Sequence, residues 1–315
     1  MKRSLKVTAA ALLLAAICLN FTGCALMGTA VSIIYMAEMA EFVNERIPRE
    51  RLSWQKVGEV KWAIGNDTLY ISGKGAMPGL PRANSLPWKQ YEDSFRKVVI
   101  KKGVTSISPV AFYCFEALES VEVPKSVQEI GTMAFYGCAN LKKVAIPEGV
   151  EIIESRTFFC CYKLEEITIP STVTEIKGDA FFACKQLKTL EIPQSVRRIG
   201  MSAFSSCYSL EGVTFSEGVT EISANAFDHC SALKSVDLPE SVAKIGSGAF
   251  NGCSALQDVF LPSSVEEIGI AAFGSCPSLK SIRYGGTVEQ AKELLKSSFV
   301  GKNCVIRCTD GEVRR

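Results

Sequence analysis

Cysteine is the residue type in this chain with the widest choice of chemistry. Thirteen are present, and seven of them, Cys138, Cys161, Cys184, Cys207, Cys230, Cys253 and Cys276, recur every 23 residues. Such a series offers metal ligation, disulfides or nucleophiles. Zinc is disfavoured because its structural sites use closely spaced cysteine pairs, and the adjacent Cys160 and Cys161 point differently. Bridges between successive repeats are awkward because in-register side chains run parallel. Phe115 fills the same column in the first repeat, so the slot wants an apolar group. The expected arrangement is a ladder of buried, reduced thiols. Cys304 and Cys308 stand apart from the series and are close enough to pair across a turn.

Other catalytic material is scarce. His229 is the single histidine, in a column otherwise holding Cys114, Gly137, Cys160, Ala183, Ser206, Gly252 and Ser275. That variability reads as a surface turn, without the converging base and orienting group that a nucleophile needs. Gly73-Lys74-Gly75 lacks the strand-loop-helix setting of a phosphate cradle and reads as a loop. Lysine plus arginine (35) nearly balances aspartate plus glutamate (33), which argues against nucleic acid as a partner. Neither a metal nor a cofactor is expected, and the chain reads as a non-enzyme.

The elements that position these residues follow one interval. Phe112, Phe135, Phe158, Phe181, Phe204, Phe227, Phe250 and Phe273 are each 23 residues apart, and Leu118 to Leu279 and Val127 to Val288 keep the same step. From Leu141 one unit reads Leu141-x-x-Val144-x-Ile146-Pro147-x-x-Val150-x-x-Ile153, then Phe158 and Cys161. Alternating Val144 and Ile146 predict a short strand that Pro147 ends. A unit this short cannot bury its own apolar positions, so eight units stack into one continuous core. This pattern, over about Val98 to Tyr284, resembles the BspA-like leucine-rich repeats of bacterial surface proteins, with departures where Ser216 and Gly285 replace proline and where Glu154, Lys177 and Ser223 replace glycine. The resemblance implies a right-handed leucine-rich-repeat-like solenoid of short parallel strands and helical turns.

Solenoid ends need covers. Residues 60–72 alternate across Gly65-Asn66-Asp67-Thr68 and predict a hairpin. At the far end Thr287 and Gln290 predict a capping box for a helix with Val288, Ala291, Leu294 and Leu295 on one face. The boundaries follow: an N-terminal cap at 53–97, the solenoid at 98–284 and a C-terminal cap at 285–315.

Three surface columns are candidates for recognition. Glu119, Lys142, Glu165, Lys188, Glu211, Lys234, Gln257 and Lys280 alternate in sign, which predicts a solvated charge ladder rather than a docking face. Outward strand positions, including Glu122, Thr168, Glu191, Asp237 and Phe260, share no chemistry, and Phe260 looks out of place. The column after each repeat phenylalanine is more informative. Tyr113, Tyr136, Phe159 and Phe182 make an aromatic stripe over half the solenoid, replaced by Ser205, Asp228, Asn251 and Gly274 in the other half. Tyr162 and Tyr208 are candidates to extend it. Exposed, such rings mark contact with a protein or a sugar; the alternative is that they fold against the turns.

The N-terminus reads as an address. Lys2, Arg3 and Lys6 precede an apolar run from Val7 to Leu19, the form of a signal-peptide core, so residues 1–23 are expected to be removed. Phe21-Thr22-Gly23-Cys24 resembles a bacterial lipobox, with Phe21 where an aliphatic residue is usual, which makes Cys24 the expected lipid anchor. An ordinary cleaved signal and an uncleaved anchor are the alternatives. In residues 24–52, the largely apolar stretch Ala25–Val43 predicts a helix lying near the membrane surface or, as an alternative, packed on the folded domain, followed by a linker; Glu38 and Glu41 disfavour a second span. The function expected is a surface or envelope protein binding a protein or glycan, with an envelope scaffold or spacer as the alternative.

Overall fold

The computed structural model describes residues 52–79, 86–294 and 304–314. The signal segment, Cys24, the Ala25–Val43 stretch and Leu295 lie outside them. Ser53–Arg315 makes up one compact unit.

Each 23-residue unit makes one coil with three walls. In the coil from Leu141, Lys143–Ala145 forms the first wall with Val144 turned inward. Pro147 has no amide to give a ladder; its carbonyl instead accepts the Val150 amide at 3.2 Å, closing a turn. Ile152–Ile153 forms the second wall, and turns around Phe158 form the third. Strands pair in parallel with the step seen in the sequence: Ile153 lies opposite Ile176, Ile176 opposite Ile199, and so on to Ile268.

The third wall differs from a sheet because all its ladder bonds run one way. Val110, Phe112 and Cys114 donate to Thr132, Ala134 and Tyr136 of the following coil at 3.0, 2.8 and 2.7 Å, and Arg156, Phe158 and Cys160 repeat the triplet onto Gly178, Ala180 and Phe182. Two residues per coil take left-handed φ to achieve this, for example Arg156 (57°) and Cys160 (58°). The column that holds His229 (56°) is one of these, so its mixed composition reflects a conformation imposed by stacking rather than by residue type.

Inside, the phenylalanines form a spine. Phe112 to Phe273 are buried and lie nearly parallel, with successive ring centroids 5.1 to 5.5 Å apart. Offset stacking of this kind adds about 0.5–1.5 kcal/mol per pair beyond burial. The repeat cysteines pack beside it, free and buried. Each thiol donates to the carbonyl of a spine phenylalanine one coil back, from Cys138 onto Phe112 (3.1 Å) to Cys276 onto Phe250 (3.2 Å). A small apolar side chain with a weak donor suits this slot. In the first unit no spine phenylalanine precedes, and Phe115 fills the slot by packing on Phe95 and Phe112.

Both ends of the first wall are extended by the covers. Val60–Gly65 and Thr68–Gly73 form the hairpin, with Asn66 and Asp67 at φ 49° and 58° as a two-residue turn, and Thr68–Gly73 pairs in parallel with Lys97–Ile100. A third strand, Gln55–Val57, adds to its outer edge. Helix Val288–Leu294 starts with the capping box: the Thr287 amide donates to Gln290 Oε1 (2.8 Å) and the Gln290 amide to Thr287 Oγ1 (3.3 Å). Ala291 is buried, with Val288 and Leu294 partly so. Val305–Cys308 continues the first wall beside Ser281–Tyr284. The segment joining Cys304 to Cys308 is extended strand rather than a turn, which separates the two by about 13 Å; both are free thiols.

The first wall is interrupted twice, between Glu166–Thr168 and Thr189–Ile192 and between Gly212–Phe215 and Ser235–Asp237. The second wall is continuous from Ile152–Ile153 to Glu267–Ile268, but in the first wall Thr189–Ile192 and Gly212–Phe215 pair only with each other. Ser216, standing where proline is usual, donates its amide to the Ile192 carbonyl at 3.0 Å and ties its coil to the preceding one. The ladder on the other side, toward Ser235–Asp237, is not formed.

Candidate interaction surfaces on the solenoid

The third wall places Tyr113, Tyr136, Phe159 and Phe182 in register, one per coil, immediately after the buried spine. Their centroids are 4.8, 4.6 and 4.7 Å apart with the planes within 13° of parallel, and all four are half-buried. The rings cover one another's faces, so the stripe offers edges and the two tyrosine hydroxyls rather than open ring faces. Beyond Phe182 the column turns polar. Ser205 is buried, and the Asn251 amide donates to Asp228 Oδ1 at 2.8 Å.

Tyr162 and Tyr208 are exposed but belong to a separate column, two coils apart with Lys185 between them. The Lys185 ammonium sits 4.3 Å from the Tyr162 ring centroid, a cation–π contact worth about 0.5–1 kcal/mol at an exposed site. Cys160, whose side chain neighbours the Tyr162 hydroxyl, and then burial push that phenol up to about 12. Tyr113 is likewise raised, mainly by burial. Both phenols are therefore neutral donors at physiological pH.

The remaining candidates resolve into structure. His229 Nδ1 lies 2.8 Å from Asp228 Oδ2, and the other oxygen of that carboxylate is held by Asn251, which makes the histidine part of a polar turn. The expected charge ladder is formed at Arg96–Glu119–Lys142, at 3.0 and 2.9 Å, and at Glu211–Lys234, at 2.6 Å. The lysine and arginine hydrogen bonds hold the Glu119 carboxyl below its ordinary range. A second ladder, not anticipated from the sequence, runs along the second wall: Arg198 bridges Glu175 (3.6 Å) and Glu221 (3.3 Å), and Lys244 pairs with Glu267 (2.8 Å). Its signal is in the sequence, because these positions alternate in sign every 23 residues. Phe260 is accounted for as well. The Arg283 guanidinium lies 5.1 Å over its ring and reaches past it to Asp237 at 2.6 Å.

Trp88 and Lys89 are a further pair that the sequence pattern does not single out. The third wall leaves carbonyls open at its N-terminal end, where no coil precedes to donate. Trp88 Nε1 donates to Ala111 O (3.0 Å) and Lys89 Nζ to Tyr113 O (2.8 Å), while the indole stacks on Phe112. Trp88 is 24 residues before Phe112, one step off the interval, which hides it from a periodicity search.

Among the described residues there is no group of three histidine, cysteine, aspartate or glutamate side chains placed to hold a metal ion. Nor is any helix among them long and apolar enough to cross a membrane. The buried thiols are poor nucleophiles: burial pushes Cys207 up to about 12 and Cys276 up to about 11, and holds Cys161, Cys184 and Cys230 well above the ordinary thiol range.

Solved structures similar to this chain include a leucine-rich repeat protein from Bacteroides ovatus ATCC 8483, 22% identical over 81% of this chain and 78% of the other, with a TM-score of 0.49. A leucine-rich cell surface protein from Faecalibacterium prausnitzii A2-165 is 23% identical over 79% and 98% of the two chains, TM-score 0.34. A leucine-rich repeat protein from Eubacterium ventriosum ATCC 27560 is 20% identical over 81% and 92%, TM-score 0.42. No curated protein matches the chain. The sequence profile of the BspA type leucine rich repeat region matches in six copies, over residues 90–211 and 179–303. With the coils and spine following that repeat, the chain belongs to the BspA-type leucine-rich repeat family.

Proposed function

We propose that this protein is an exported, lipid-anchored binding protein without catalytic activity, which docks a partner protein on the aromatic face of its third wall. The observation that carries the reading is the in-register, half-exposed stack Tyr113–Tyr136–Phe159–Phe182. It is a rigid strip that loses little freedom on binding, and tyrosine is enriched among residues that dominate protein interfaces. Tyr162 and Tyr208 flank it. Cys24 is the proposed site of lipid attachment, and the cell surface the proposed location, as the sequence suggests.

The test is a screen of the full chain against secreted and matrix proteins and glycans, followed by Tyr136→Ser with Phe159→Ser. The double variant is expected to keep the wild-type far-UV circular dichroism and to lose at least about tenfold in affinity, the equivalent of one interface hot spot. Unchanged affinity would remove the stripe as the docking face. Protease treatment of intact cells separates this reading from an envelope scaffold, since cleavage from outside requires surface display.

A further inference from the structure

One of the two breaks in the first wall, between Gly212–Phe215 and Ser235–Asp237, coincides with an open cavity of about 410 Å³ lined by Thr189, Gly212, Val213, Phe215, Ser235 and Asp237 among others. Its floor is apolar. Val213 is only partly buried where Leu190 and Val236 in its column are buried, as is Ile167 at the other break, and Phe215 is only partly buried where Ile192 and Leu238 are buried. Its rim is polar. Thr189, Thr214 and Ser235 are exposed and bring hydroxyls, and the main-chain edges of Gly212–Phe215 and Ser235–Asp237 face each other without a ladder. The one acidic side chain, Asp237, is already neutralised by Arg283 at 2.6 Å. Gly212 makes room: a Cβ built there meets nothing within 4 Å.

We propose that this opening is a glycan subsite that takes one neutral sugar unit, in addition to the protein-docking stripe. The proposal rests on the reading of the chain as a binding protein. The chemistry selects the class. The exposed parts of Val213 and of Phe215, whose ring packs edge-on against Phe227, give apolar contact for the C–H groups of a pyranose, and the hydroxyls with main-chain groups outside any ladder supply the donors and acceptors that a polyhydroxylated ligand needs. A compensated carboxylate gives no net charge to attract an ionic ligand. The volume falls in the range of about 300–1,000 Å³ typical of small-ligand sites. A peptide strand fits less well, because the gap is bounded at both sides by coils and offers no continuous free edge.

Gly212→Leu fills the cavity without backbone strain, since Gly212 does not have a left-handed φ and its Cβ position is open. Ser235→Leu fills it from the opposite rim. The full chain and both variants are titrated with malto-, cello-, manno- and chito-oligosaccharides, followed by saturation-transfer NMR, with oligogalacturonate as the charged control. At least one neutral series is expected to bind the wild type, and each filling variant to lower its affinity about tenfold or more. Tyr136→Ser keeps this glycan binding even if the stripe proves to be inert, so the two proposals fail separately. The subsite is refuted if no neutral series binds at millimolar concentration, if only oligogalacturonate binds, or if both filling variants bind as the wild type does.

Discussion

The thiol ladder makes the fold sensitive to alkali by an amount that can be worked out from burial. Each repeat cysteine stays protonated in the folded chain because burial raises its pKa, whereas in the unfolded chain it ionises near its ordinary value of 9.0. The unfolded state therefore binds fewer protons above that value, and stability is full below it and lost as pH rises past it. One unit higher, each unfolded thiol contributes about 1.4 kcal/mol toward unfolding. Seven together give about 10 kcal/mol, as large as the whole stability of many domains. Cys276 and Cys207, pushed up to about 11 and about 12, still hold their protons there. Urea unfolding followed by far-UV circular dichroism in reductant, near pH 8 and near pH 10, measures the loss. A variant with Cys184, Cys207 and Cys230 all changed to valine should recover about 4 kcal/mol of it, because three of the seven sites no longer titrate. Tyrosine ionisation is common to both proteins and cancels in the comparison. An identical pH dependence in variant and wild type would falsify the account.

Two other expectations concern the stack itself. Phe181→Ala removes a ring held between Phe158 and Phe204 and should cost about 3–5 kcal/mol, read as a shift in the urea midpoint; a cost under about 1 kcal/mol would mean the spine adjusts freely. Gly269→Ala should also destabilise the fold, because its Cβ would lie 2.3 Å from the Ser247 amide nitrogen, whereas Gly212→Ala, with open space at that point, should leave the midpoint unchanged.

Most of the architecture is legible in the sequence because a solenoid repeats one local decision. Phe, Leu and Val at a fixed step define the spine, and Asn66-Asp67 and Thr287 with Gln290 mark the covers through turn and cap chemistry that needs only neighbouring residues. What is not legible depends on relations between coils. Nothing in the string Gly212-Val213-Thr214-Phe215-Ser216 says which neighbour it will abandon; the extra amide of Ser216 does not decide it, because Gly285 makes the same bond, to Leu261, in a strand paired on both sides. The aromatic stripe is visible as a column, but whether its rings present faces or edges depends on stacking distance. Phe260 looks anomalous in the sequence only because Arg283, the residue that covers it, lies in the next coil and anchors in the one before.

The one-way hydrogen bonding of the third wall also fixes what evolution or an engineer can do with this chain. Insertion or deletion of a whole 23-residue unit leaves every amide and carbonyl matched, so repeat number is an adjustable quantity. The termini are not interchangeable: an indole and an ammonium suit the acceptor end, and transplanted to the opposite end they would set donors against donors. Fusing two copies head to tail would for the same reason require removing the C-terminal cover of the upstream copy and the N-terminal cover of the downstream one, Trp88 and Lys89 included, after which the first carbonyls of one could be met by the last amides of the other.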